Sequence, residues 1–204
     1  LKFFLLNKDI FFRTCCLILV HFFFIAAGAK QGDKELAVNT MLMQLFTLYS
    51  YIMDGFAFAC EAMVGKAIGG NMRGIYDETV RRLFRWGWGV AALFTLAYLF
   101  FGRAFLSLLT NDAAVLDTAH VYQPWTLLFP LCGMAAFIWD GIYIGATATK
   151  GMLISMASGM VVFFLLYFTL VPWLGNHGLW IAFVVYLATR GICQTFMRKI
   201  IWGR

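Results

Sequence analysis

Residues 152–173 read MLISMASGMVVFFLLYFTLVPW, twenty-two positions without an Asp, Glu, Lys or Arg among them. A helix rises about 1.5 Å per residue, so about 20 mostly apolar residues cross a hydrocarbon core of about 30 Å. The strict alternation of a membrane-barrel strand is missing here. The stretch therefore predicts a transmembrane helix. The pattern recurs after it at 178–197 and before it at 120–145, 85–101, 36–65 and 10–28. Six such stretches predict an all-α membrane protein built as a bundle of six transmembrane helices. The stretch 36–65 is long enough to tilt or to run beyond the membrane.

Composition points the same way. Of 204 residues, 62% are hydrophobic and 13% charged, against roughly 45–50% and about 25% in an ordinary soluble domain. A soluble core of this size does not hide 22 Phe, 7 Trp and 10 Met, so the lipid bilayer is the expected solvent. The net charge of +6 does not imply nucleic acid, because the basic residues form short clusters between apolar runs rather than one stripe. Residue 1 is Leu, so the chain is expected to begin inside a longer reading frame.

The segments between spans, 28–35, 66–82, 102–117, 146–151 and 172–178, hold the chain breakers and most of the charge. With six spans, both termini and the second and fourth connections share one side and carry eleven Lys and Arg, from Lys2 and Lys8 to Lys199 and Arg204. The opposite side carries three: Lys30, Lys34 and Arg103. The positive-inside rule then places both ends of this segment in the cytoplasm. Trp86, Trp88 and Trp202 are expected at the inner interface, and Trp125, Trp173 and Trp180 at the outer one. Cys15, Cys16, Cys60, Cys132 and Cys193 all fall within spans, where no disulfide is expected. His21, His120 and His177 share no metal-ligand spacing, so no metal site is expected.

Five ionisable residues stand out inside spans: Arg13, Asp54, Glu61, Asp140 and Arg190. Each costs roughly 2.5–3.5 kcal/mol at the bilayer centre by insertion scales, so such groups face a partner or a cavity. Asp54 and Glu61, seven apart, project from one helix face. Two assignments compete. In one, the acids pair with Arg13 and Arg190 and fix helix packing. In the other, an acid left over binds and releases a proton or cation during transport. Asp140 is the first candidate, since no basic residue lies within two turns on its own helix, followed by Asp54. Glu61, near Lys66, is the acid best suited to a structural role. Pro124 and Pro130 predict a kink in the fourth span. Each Asp-Gly step, Asp54-Gly55 and Asp140-Gly141, places a small residue beside an acid, for close helix approach or for ligand access. Intramembrane aspartyl proteases also pair two acids, but Met53-Asp54-Gly55 and Trp139-Asp140-Gly141 do not match their signatures.

Four stretches carry a resemblance. Leu36-Ala37-Val38-Asn39 through Asp54-Gly55-Phe56-Ala57-Phe58-Ala59-Cys60-Glu61-Ala62 to Val64-Gly65-Lys66-Ala67-Ile68-Gly69-Gly70 resembles the multidrug and toxic compound extrusion (MATE) family. Asn7-x-Asp9-Ile10-x-x-Arg13, Trp139-Asp140-Gly141-Ile142-x-Ile144-Gly145-Ala146-Thr147 and Pro172-Trp173-Leu174-Gly175-Asn176-His177 look like its DinF branch.

The resemblance implies a twelve-helix transporter of two six-helix lobes around a cavity open alternately to either side. Residues 1–204 would be its C-terminal lobe, and the N-terminal lobe its missing partner. It further implies export of cationic or amphiphilic small molecules by antiport with H+ or Na+, in a bacterial plasma membrane, with no other cofactor and no enzymatic activity. Some members bind the coupling cation on an N-lobe Asp. Others use C-lobe acids, of which Asp140 matches the one on the tenth span. The acid usual on the seventh span is absent, and that span offers Arg13 instead. A lipid-linked precursor flippase, from the same superfamily, and a non-transporting membrane scaffold are the competing functions.

Overall fold

The computed structural model describes the backbone of Lys2–Ile201 and the side chains from Asn7 onward; Trp202, Arg204 and the side chain of Lys2 lie outside this range. Every element among the described residues is helical: α1 (Lys2–Ala29), α2 (Asp33–Gly69), α3 (Arg73–Leu109), α4 (Ala113–Tyr122), a 3-10 turn (Gln123–Leu127), α5 (Leu128–Gly145), α6 (Thr149–Leu174), α7 (Asn176–Phe196) and a terminal 3-10 turn (Met197–Ile201). With α4, the turn and α5 counted as one crossing, six segments are long and apolar enough to span a membrane.

The helices run further than the apolar stretches. Residues 66–82 and 102–117 are expected as connections, yet the chain there is helical except at 70–72 and 110–112. Charge sets where a helix leaves the hydrocarbon, and it does not stop the helix, so the Arg-rich start of α3 simply extends into water. The actual stops are local. Asn71 (φ 52) and Thr147 (φ 54) take left-handed backbone at the ends of α2 and α5. Met72 and Ala148 then donate back to the carbonyls of Ala67 and Tyr143, and Asn71 and Thr147 to those of Ile68 and Ile144, which is the Schellman closure of a helix end. Gly175 (φ 54, ψ −131) alone separates α6 from α7, a conformation essentially reserved for glycine. The expected connection at 172–178 therefore shrinks to one residue, and Pro172 lies inside α6.

The fourth span is helical throughout 113–145 and changes to a 3-10 turn at Gln123–Leu127, near which both prolines lie. Pro124 opens the 3-10 turn, and Pro130 sits in the first turn of α5, where a missing N–H costs nothing because those positions have no intrahelical acceptor.

Helices α5 and α7 form the middle of the bundle. α5 packs on α2, α3 and α7, and α7 packs on α5, α6 and α1. α1, α3 and α6 turn large apolar side chains outward, among them Phe22, Phe100 and Phe168, as lipid-facing helices do. The crossing of α2 and α5 is made by glycine: a Cβ on Gly141 would run into the Ala57 carbonyl, and one on Gly145 would sit 2.5 Å from the Glu61 carbonyl. Close approach is therefore the role of the glycine after Asp140, whereas Gly55, after Asp54, faces open space.

Trp180 departs from its expected interfacial place. It is completely buried, and its indole N–H donates to Asn39 Oδ1 at 3.0 Å. Asn39 and Asn176 exchange amide hydrogen bonds at 2.8 Å in both directions. A buried amide pair in lipid has no water to fall back on, so Trp180 is drawn inward to complete it. Trp86, Trp88 and Trp173 are exposed.

Removing Asn39 leaves the Asn176 amide and the Trp180 N–H without their acceptor. Asn39→Ala is expected to lower unfolding stability by about 1–3 kcal/mol, and Asn39→Leu combined with Asn176→Leu to recover part of that loss. Thermal unfolding in detergent checks both, and a neutral Asn39→Ala would remove the amide cluster from the account of packing.

Candidate functional site

The five ionisable residues predicted within spans do not pair as acid with nearest base. Both arginines converge on one acid. Arg13 of α1 donates through Nη2 to Asp140 Oδ2, and Arg190 of α7 donates through Nη2 to the same oxygen at 2.8 Å. The other oxygen, Oδ1, accepts from Gln194 Nε2 at 2.5 Å. Asp140, Arg190 and Gln194 are all buried, while the Arg13 side chain keeps 20% exposure.

Helical spacing explains the convergence. Tyr186, Arg190 and Gln194 are four apart on α7 and share one face. The Tyr186 ring lies 5.5 Å from the Arg190 guanidinium carbon, a cation–π distance, and its hydroxyl bonds the Met156 sulfur at 3.1 Å. On α5, Trp139 Nε1 donates to Thr195 Oγ1 at 2.8 Å and the Tyr143 hydroxyl donates to the Gln194 carbonyl at 2.8 Å. Asp140 thus stands between two anchors that hold α5 against α7. Arg13 reaches in from α1, itself tied to α6 where Thr149 donates to Asp9 at 3.1 Å.

Two guanidinium groups on one carboxylate leave the cluster with a net positive charge. As built, it repels a further cation instead of recruiting one. Such charge-assisted bonds in low dielectric are strong, so the triad acts chemically as a three-helix latch.

The remaining acids lie elsewhere. Asp54 is exposed on α2 and Glu61 partly so. Among the described residues neither belongs to an ion pair, the third pair being Glu78 with Arg82 on α3. Glu61 and Lys66 are therefore not bridged. Asp54 sits within electrostatic reach of Arg13, Asp140 and Arg190. Tyr51 (71% exposed) and Phe58 (70% exposed) are three residues before it and four after it, so both flank it on one uncovered face. Pro130 offers its carbonyl to the Tyr49 hydroxyl at 3.0 Å, and Pro124 shapes the turn far from the acids along the chain.

Sequence reasoning missed Gln194, although its place one turn beyond Arg190 was a usable signal. Asn39 and Asn176 had none, being 137 residues apart. The histidines are dispersed: His21 bonds the Leu17 carbonyl, His120 faces Gln123, and His177 accepts from Trp125 Nε1 at 3.1 Å.

Comparison with known proteins adds the following. The MatE family model matches residues 10–169. The chain is 38% identical over 197 residues to the DNA damage-inducible protein F of Escherichia coli (strain K12), covering 97% of this chain and 43% of that protein. It is 26% identical to Protein DETOXIFICATION 42 of Arabidopsis thaliana, over 92% of this chain and 36% of the relative. It is 22% identical to the chloroplastic Protein DETOXIFICATION 44 of the same plant, over 87% and 34%. The chain thus spans less than half the length of these curated relatives.

The latch makes a graded prediction. Arg190→Leu strips the inner guanidinium from a buried carboxylate and is expected to cost about 3–5 kcal/mol. Arg13→Leu is expected to cost clearly less, because Asp140 keeps Arg190 and Gln194 and Arg13 is the more exposed partner. Unfolding of the full-length protein in detergent measures both; equal losses would contradict the ranking.

Proposed function

The chain belongs to the MATE family of multi-pass membrane transporters, and from that premise we propose that it forms the C-terminal six-helix lobe of a secondary active exporter. Its partner is an N-terminal lobe, and its setting is a bacterial plasma membrane, with both ends of this segment in the cytoplasm. The substrate is a cationic or amphiphilic small molecule, exchanged for H+ or Na+.

The observation that carries this reading is the division of the acids. Asp140 is spent on Arg13 and Arg190, while Asp54 stands exposed between Tyr51 and Phe58 on α2. A carboxylate flanked by aromatic rings suits an organic cation with apolar bulk: the charge attracts it and the rings contact its faces. The same carboxylate can hold a coupling ion, so ion and substrate compete for one charge, which is the simplest form of antiport. Glu61, two turns along the same helix, supplies a second acid on the path.

Asp140 acts in this scheme through the latch. Opening toward either side of the membrane moves helices against one another, and α1 can move away from α5 only if Arg13 leaves Asp140. The triad thereby sets how far the lobe opens before ion binding.

A scaffold whose acids only pair with arginines fits Asp140 and leaves Asp54 unexplained. A protease dyad needs two carboxyls sharing a proton, and both Asp140 oxygens already accept hydrogen bonds from Arg and Gln side chains. The flippase reading shares the architecture but gains nothing from an aromatic-flanked acid.

Export of an organic cation by vesicles holding the full-length protein tests the proposal. Asp54→Asn is expected to slow export at least about tenfold, the effect of ~1.4 kcal/mol, with Tyr51→Ala and Phe58→Ala weakening apparent substrate affinity. Wild-type export from both Asp54→Asn and Asp140→Asn would overturn it.

A further inference from the structure

A cavity of about 950 Å3 opens where α3 begins and α7 ends, lined by Arg73, Arg81, Arg198 and Lys199 with Asp77 as its acid. Trp139 lies at its inner wall, 3% exposed, edge-on to Phe84 with ring centres 5.3 Å apart and hydrogen-bonded to Thr195. Thr195 also lines a second hollow of about 360 Å3 between α5 and α7. That hollow is apolar, walled by Leu131, Cys132, Ala135, Ala188, Ile192 and Phe196. It narrows at Gly191, where an added Cβ would meet that of Ala135 at 2.9 Å.

We propose that these two hollows form one binding site for an anionic phospholipid, its phosphate in the basic cavity and an acyl chain in the groove between α5 and α7. Arg81, Arg198 and Lys199 around the cavity create a positive field, and guanidinium groups match phosphate oxygens with paired donors. The distribution of Lys and Arg along the chain assigns this end of the bundle to the cytoplasmic leaflet, where anionic headgroups lie and basic pockets between helices take them. The apolar groove makes the ligand a lipid in preference to a soluble phosphate, since a free anion has no use for it. A zwitterionic headgroup carries its own ammonium into the field and gains less.

The site reaches the latch through its inner wall. Trp139 precedes Asp140, and Thr195 follows Gln194, so a bound lipid presses on the Trp139–Thr195 anchor that positions both. This binding does not depend on which substrate the protein carries.

Native mass spectrometry of the full-length protein in mixed micelles of dioleoyl phosphatidylglycerol and dioleoyl phosphatidylethanolamine tests the proposal. Wild type is expected to retain the phosphatidylglycerol at least about fivefold in preference, the effect of ~1 kcal/mol from a single cation at an anionic headgroup. The triple variant Arg81→Ala, Arg198→Ala, Lys199→Ala should lose that preference, and Arg82→Ala, outside the cavity, should keep it. Ala188→Phe, filling the groove, should weaken lipid retention with every charge in place. Millimolar inorganic phosphate should leave the bound lipid where it is. Equal retention of the two lipids by wild type, or an undiminished preference in the triple variant, would overturn the assignment. So would displacement by inorganic phosphate, which would make the cavity a soluble-anion site. If the triple variant does not fold, Arg198→Ala alone and the competition on wild type decide the matter.

Discussion

A charge in a bilayer has no water to return to, and the bundle depends on how it answers that constraint at Asp140. One carboxylate takes three side-chain donors from two other helices: Arg13 from α1, and Arg190 and Gln194 from α7. Because α5 and α7 are also joined by Trp139 and Tyr143, the acid sits where the middle of the bundle is most firmly held. At the other end the Asn39–Asn176–Trp180 cluster performs the same task without charge. Between them the packing is mostly apolar and tightened by glycine, with tyrosine hydroxyls such as that of Tyr49 reaching backbone carbonyls.

In the proposed exchange, the latch leaves Asp54 rather than Asp140 as the available acid. A carboxylate with two guanidinium partners offers little to an incoming cation, whereas Asp54 faces outward on α2 with aromatic neighbours and no ion-pair partner among the described residues. The latch joins α1 to α5 and α7. The basic cavity reaches Trp139, one residue from that latch.

Much of this architecture is legible in one sequence because lipid makes strong demands on composition. A run such as 152–173 has no alternative reading, and six of them determine the bundle. Helix ends were less legible, since charged turns such as the start of α3 remain helical in water and only Asn71, Thr147 and Gly175 carry a stop. Partner choice was least legible. Asp140 looked unpaired because its own helix has no nearby base, yet Arg13 lies 127 residues away and Arg190 lies 50 away. Pairing each acid with its own base fails because both arginines bind one acid. Trp180 looked interfacial by position and became buried because an amide pair needed its N–H.

The central claim is that the ion exchanged for substrate binds at Asp54 and that Asp140 is held by its arginines. The most direct measurement is release of H+ or Na+ from the purified full-length protein when an organic cation is added. The account predicts release from wild type and none from Asp54→Asn. Undiminished release from Asp54→Asn would contradict it.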